Sequence, residues 1–121
     1  MMTNEQYSQM IDMLVESTTK NLLTWNRDDS NASFYTKVNN CRLELRVFYD
    51  VPLKDNKARF EMYNVDGRSF NRYIFSEKVD KAEYDRLYRL NEIVKDKFFK
   101  VTESEQRIMQ GLNDLLKLPE G

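Results

Sequence analysis

A chain of 121 residues that is 40% hydrophobic and 32% charged, with 3 Gly and 2 Pro, can bury one hydrophobic core; it is neither apolar enough for a membrane nor polar enough for disorder. One domain over residues 1–121 is expected. The 19 basic and 20 acidic side chains leave a net charge of −1, which excludes a global field drawing the protein to nucleic acid or an anionic bilayer, although residues 34–75 hold eight basic against five acidic side chains and form the only net-basic third.

From Asn4 to about Thr24, Tyr7, Met10, Ile11, Leu14, Val15, Leu22 and Trp25 recur at mostly three- and four-residue spacing, which predicts an amphipathic helix with one buried stripe. Thr18 and Thr19 interrupt that stripe. The run Asn26-Arg27-Asp28-Asp29-Ser30-Asn31 consists of turn and cap formers and is expected to end the helix.

The period then changes to two. Phe34, Thr36 and Val38 alternate with Tyr35 and Lys37, and Cys41, Leu43, Leu45, Val47 and Tyr49 alternate with Arg42, Glu44, Arg46 and Phe48. Asn39-Asn40 between the runs tolerates the left-handed conformation of a tight hairpin. A polar loop from Asp50 to Lys57 contains Pro52. Two more strands, Arg59 to Val65 and Arg68 to Phe75, flank Asp66-Gly67, read as a two-residue hairpin turn.

Two C-terminal helices are predicted next. Asp80 with Glu83 forms a capping-box pattern ahead of Tyr84, Leu87, Leu90, Ile93, Val94 and Phe98; Thr102 with Glu105 repeats it ahead of Ile108, Leu112, Leu115 and Leu116. The expected fold is therefore α+β: an N-terminal helix, a four-stranded antiparallel meander and two C-terminal helices packed on one sheet face. This order resembles a loose class of small uncharacterised bacterial and mobile-element proteins. The resemblance is carried by Trp25, Tyr35-Thr36, Asn64-Val65-Asp66-Gly67, Tyr84 to Leu90 and Ile108 to Leu116, and it implies no activity and no functional residues.

The chain contains no histidine, which removes the commonest general base, the commonest zinc ligand and every Ser-His or Cys-His nucleophile. Cys41, the only cysteine, shares the apolar side of its strand with Leu43 and Leu45 and reads as core. Three dispersed glycines supply no phosphate loop, and Asp28-Asp29 and Asp66-Gly67 read as turn and cap residues instead of calcium ligands. A metal-dependent nuclease using Glu16, Asp50 and Glu44 with Arg46 is a remote alternative, because the lysine expected after the strand carboxylate is missing. No enzyme activity and no cofactor are expected. Met1 to Tyr7 contain no basic stretch leading into an apolar run, and no segment reaches ~18 consecutive apolar residues, so the expected location is cytoplasmic.

The remaining candidate is the sheet face away from the helices. A two-residue turn at Asp66-Gly67 pairs Val65 with Arg68, Tyr63 with Phe70, Glu61 with Arg72 and Arg59 with Ile74, all on one face. Tyr35, Lys37, Arg42, Glu44, Arg46 and Phe48 join it by period two, leaving Phe60, Met62, Tyr73 and Phe75 for the core. Ordinary sheet surface explains such a face through β-propensity alone. Its mixture of arginines and aromatics also suits a protein partner or self-association through Tyr35, Arg42, Arg46, Phe48, Tyr63, Phe70 and Arg72. Single-stranded nucleic acid is the alternative, which Glu44 and Glu61 in the middle disfavour; no membrane or small-molecule partner is indicated. Tyr88, Phe99 and Met109, at the margins of the helical stripes, are further contact candidates.

Overall fold

The computed structural model describes residues 2–117, in the order α1 (Asn4–Thr19), β1 (Asn26–Asp28), β2 (Ser33–Val38), β3 (Cys41–Asp50), β4 (Asp55–Tyr63), β5 (Ser69–Ser76) and α2 (Lys81–Lys117). All strand pairs are antiparallel, and the sheet order follows the chain from β1 to β5.

A reciprocal cap starts α1. The Thr3 hydroxyl accepts from the Gln6 backbone N–H at 3.1 Å, and the Gln6 side chain accepts from the Thr3 N–H at 3.0 Å. The helix buries Tyr7, Ile11, Leu14 and Thr18. Thr18 does not weaken the stripe: its hydroxyl accepts a 3.0 Å hydrogen bond from the indole N–H of Trp25, so both polar atoms are satisfied inside the core. A left-handed Asn21, with φ of 59°, follows the helix C-terminus, earlier than the expected Thr24.

The expected four-strand meander with two C-terminal helices is corrected to five strands and one long C-terminal helix. The additional strand is β1, in the segment expected to be only a turn. Its partners are fixed by position: Asn26, Arg27 and Asp28 lie opposite Tyr35, Phe34 and Ser33, while the Thr24 carbonyl accepts from the Thr36 hydroxyl at 2.8 Å. The turn formers act one step later, where Asp28 accepts from the Ser30 N–H and hydroxyl and Ala32 turns left-handed at φ 53°. The expected Asp50–Lys57 loop also shrinks. The β3–β4 ladder continues to Asp50 opposite Asp55, leaving Pro52 in a short turn closed by left-handed Lys54. At the β2–β3 hairpin, Asn39 and Asn40 both adopt positive φ, at 49° and 64°.

The second expected C-terminal helix merges with the first. Thr102 is an interior residue whose hydroxyl donates to the Phe98 carbonyl at 3.1 Å, one turn earlier in the same helix, and no Gly or Pro stands between Lys95 and Gln110 to stop the helix.

Both helices cover one face of the sheet. Tyr7 packs against Phe60, Tyr73 and Phe75 at ring separations of 6.3, 4.6 and 5.6 Å, and Tyr84, Leu87, Leu90 and Val94 of α2 complete the core over Leu43, Leu45, Ala58 and Phe60. Each such fully buried large side chain contributes ~1.5–3 kcal/mol through removal of apolar surface from water. The edge-to-face pair of Phe98 with Phe34, at 5.6 Å, is the last aromatic contact between α2 and the sheet. Five strands span only ~19 Å across their axes, whereas 37 helical residues extend ~55 Å, so α2 must overhang. From Glu103 to Lys117 every side chain is exposed. No helix among the described residues is long and apolar enough to cross a membrane.

Candidate functional site

Strand alternation places Tyr35, Arg42, Glu44, Arg46, Phe48, Arg59, Glu61, Tyr63 and Arg72 on the sheet face opposite the helices. The register creates an electrostatic conflict. Glu44 lies directly opposite Glu61, and Arg46 directly opposite Arg59, so like charges face each other in two successive rows. Diagonal contacts resolve it: Arg59 Nη2 donates to Glu44 at 2.6 Å, and Arg42 Nη2 donates to the other oxygen of the same carboxylate at 3.0 Å. Glu61 accepts from Ser69 Oγ at 2.6 Å and from Nε and Nη2 of Arg72 at 3.1 and 3.0 Å.

These contacts bury both carboxylates on an otherwise solvent-facing surface, with Glu44 3% and Glu61 2% exposed. Burial alone would raise the Glu61 pKa, but the bonds from Ser69 and Arg72, with the Arg72 charge, hold it below the usual carboxylate value. Tyr63 is shifted the other way, upward, by burial and then by the negative charges of Glu44 and Glu61. Its hydroxyl therefore remains a protonated donor.

The arginines are positioned by rings as well as by acids. The Arg42 guanidinium sits 3.9 Å from the Tyr35 centroid and 5.9 Å from that of Tyr63, and Arg46 lies 4.7 Å from the Phe48 centroid. Among the described residues Arg46 has no carboxylate at ion-pair distance. Four arginines thus surround two carboxylates, leaving the centre of the face positive and rich in fixed hydrogen-bond donors.

Six of the seven residues expected on this surface are there: Tyr35, Arg42, Arg46, Phe48, Tyr63 and Arg72. Phe70 is not beside Tyr63, and this placement is corrected. The connection between β4 and β5 is a three-residue loop, Val65 to Gly67. Asn64 N–H donates to the Arg68 carbonyl at 2.8 Å, and Gly67 N–H donates to the Asn64 carbonyl at 2.9 Å, with Gly67 at φ 83°. This loop makes Ser69 the partner of Tyr63, and Phe70 becomes the extra residue of a bulge before Asn71 pairs with Met62. Phe70 instead lines a groove of about 470 Å³ beside α1, with Met10, Met13, Val38, half-buried Cys41 and Met62. The site also includes Arg59, which sequence reasoning placed on the face without assigning it a role, and Asn31, whose amide donates to Glu44 at 3.4 Å.

The carboxylates considered for magnesium do not meet. Glu16 is on α1 with Lys20 at 2.7 Å, Asp50 is held by Lys57 at 2.8 Å, and Glu44 is held by arginines on the opposite side of the sheet from α1. Among the described residues no group of three or more acidic or cysteine side chains is arranged to hold a metal ion. Neither the family models, nor the curated proteins, nor the solved structures offer a match to this chain.

Proposed function

We propose that the protein is a non-enzymatic binding module that uses the outer sheet face to hold a protein partner with an acidic, acceptor-rich surface. The reading is carried by one observation: an arginine cluster, stacked on Tyr35 and Phe48 and anchored to two buried carboxylates, lies on a face that neither helix covers. Guanidinium groups already immobilised by rings and acids lose less side-chain freedom when a partner docks, so more of the contact energy appears as affinity. Arginine and tyrosine are also the residue types on which interface energy concentrates. Stacking of bases is less well served, because guanidinium groups already occupy faces of the Tyr35 and Phe48 rings.

The test is capture of partners from lysate of the source cells, with and without nuclease, comparing the wild type with a Tyr35→Ser/Arg46→Ser/Tyr63→Ser variant whose circular dichroism is unchanged. A stoichiometric protein that survives nuclease and is lost with the variant supports the proposal. Retention by both forms, or capture abolished by nuclease, refutes it; the latter would assign the face to nucleic acid.

A further inference from the structure

The stripe by which α2 joins the core does not stop where the core does. Leu87, Asn91, Val94 and Phe98, buried or half-buried, are followed at the same alternation of four and three residues by Val101, Glu105, Ile108, Leu112 and Leu115. Beyond Phe98 the apolar members of this seam are open to solvent: Val101 is 59%, Ile108 64%, Leu112 50% and Leu115 65% exposed. Met109 and Leu116 widen the strip on one side, at 59% and 86% exposure. Together they present on the order of 600 Å² of apolar surface, at the upper end of what a monomer shows in one patch and close to the ~800 Å² each partner contributes to a stable interface.

An isolated helical segment of this length is marginal in water, and Gly111 in its interior weakens it further. Nothing among the described residues explains that glycine, since a Cβ built there meets no atom within 4 Å. It lies with Ser104, seven residues earlier, along the other flank of the seam, where small side chains allow a second helix to approach closely.

We propose that the overhanging half of α2 pairs antiparallel with the same segment of a second copy of this chain, Ile108 facing Leu112 of the partner and Leu112 facing Ile108. Charge selects this orientation. A parallel pair would place Glu105 against the partner's Glu105 inside the seam, whereas the antiparallel pair places it against the partner's Leu115, within one turn of the basic end at Lys117. It also sets the two domain bodies at opposite ends of a contact ~25 Å long, matching the length of helix that protrudes. This interface is separate from the arginine face and stands or falls independently of it.

Sedimentation equilibrium of the full chain at tens of micromolar tests the pairing. The wild type should weigh twice its 14.6 kDa chain mass, and Ile108→Glu/Leu112→Glu should weigh one chain with the folded near-ultraviolet spectrum retained. The Tyr35→Ser/Arg46→Ser/Tyr63→Ser variant should remain a dimer. Orientation is read in a Cys41→Ser background, by mixing a Glu105→Cys chain with a Leu115→Cys chain under mild oxidation. Mixed disulfides should form in excess over either homodisulfide. A monomeric wild type, a dimer unaffected by Ile108→Glu/Leu112→Glu, or a dominant Glu105→Cys homodisulfide would overturn the proposal.

Discussion

Replacing Glu44 with glutamine should loosen the outer face while sparing the core beneath it. The carboxylate accepts from Arg59 at 2.6 Å and from Arg42 at 3.0 Å, and hydrogen bonds to charged groups are worth ~1.5–3 kcal/mol each. Three effects offset this gross loss. The guanidinium groups, with side chains 19% and 32% exposed, recover water; the glutamine carbonyl keeps one acceptor; and removal of the charge relieves repulsion from Glu61 opposite, worth ~0.2–1 kcal/mol. The expected net cost is ~1–3 kcal/mol, a fall in melting temperature of about 4–12 °C for a chain of this size. Urea denaturation should show an earlier midpoint with an unchanged slope, because the buried apolar surface is the same. A Glu44→Gln variant as stable as the wild type would contradict this expectation, since it would mean that desolvating this carboxylate costs as much as its arginine bonds return.

Because the Glu61 carboxyl is held below its usual value in the folded state, its contribution is fully present above the unfolded pKa of ~4.3 and is lost as pH falls through the depressed folded value; acid unfolding should begin below about pH 4, and Glu61→Gln should flatten that limb. Burial pushes the Tyr7 hydroxyl up, so its contribution is complete below the unfolded value of ~10 and declines as pH rises beyond it. Among the described residues the buried Tyr7 oxygen has no hydrogen-bond partner, and Tyr7→Phe should therefore raise stability at neutral pH by ~1 kcal/mol and remove part of the alkaline decline; a destabilised Tyr7→Phe in thermal melts would contradict this.

Features written in local periodicity were legible. The stripe of α1 from Tyr7 to Val15, the Asn39-Asn40 hairpin and the alternation of Arg42, Glu44 and Arg46 depend on neighbours two to four residues apart, and each appears in the structure, whereas Leu22, expected to extend the stripe, lies beyond the helix and is exposed. Strand β1 was not legible, because three polar residues have no pattern of their own; contacts at a distance hold them, through buried Trp25 and the Thr24–Thr36 hydrogen bond. The continuity of α2 was obscured by the pattern Thr102-x-x-Glu105, which occurs in helix interiors as well as at helix starts. The informative signal was the missing helix breaker before it. Phe70 was misplaced by one residue of loop length. Asp-Gly fits both a two-residue turn and the end of a three-residue one, and in a strand a shift of one reverses the face of every side chain until a bulge restores it. Arg59 was legible in place but not in role, since its bond to Glu44 runs diagonally between strands.

The separation of the two surfaces has a consequence for how the module would act. Helix α2 packs on the sheet face away from the arginines and leaves the domain past Phe34 of β2, so a contact made by its overhang covers neither copy of the arginine face. A pair joined there presents two identical faces carried by one rigid helical junction. When a partner displays two acidic sites at a span that both faces can reach, the second contact forms at an effective concentration in the millimolar range, and the avidity gain reaches ~10²–10⁴ without any new side-chain interaction. A single face of four arginines needs only modest intrinsic affinity under that arrangement. Its ion-pairing component is screened by salt, whereas the apolar seam of α2 is not, so rising ionic strength would release the partner before it separates the two copies.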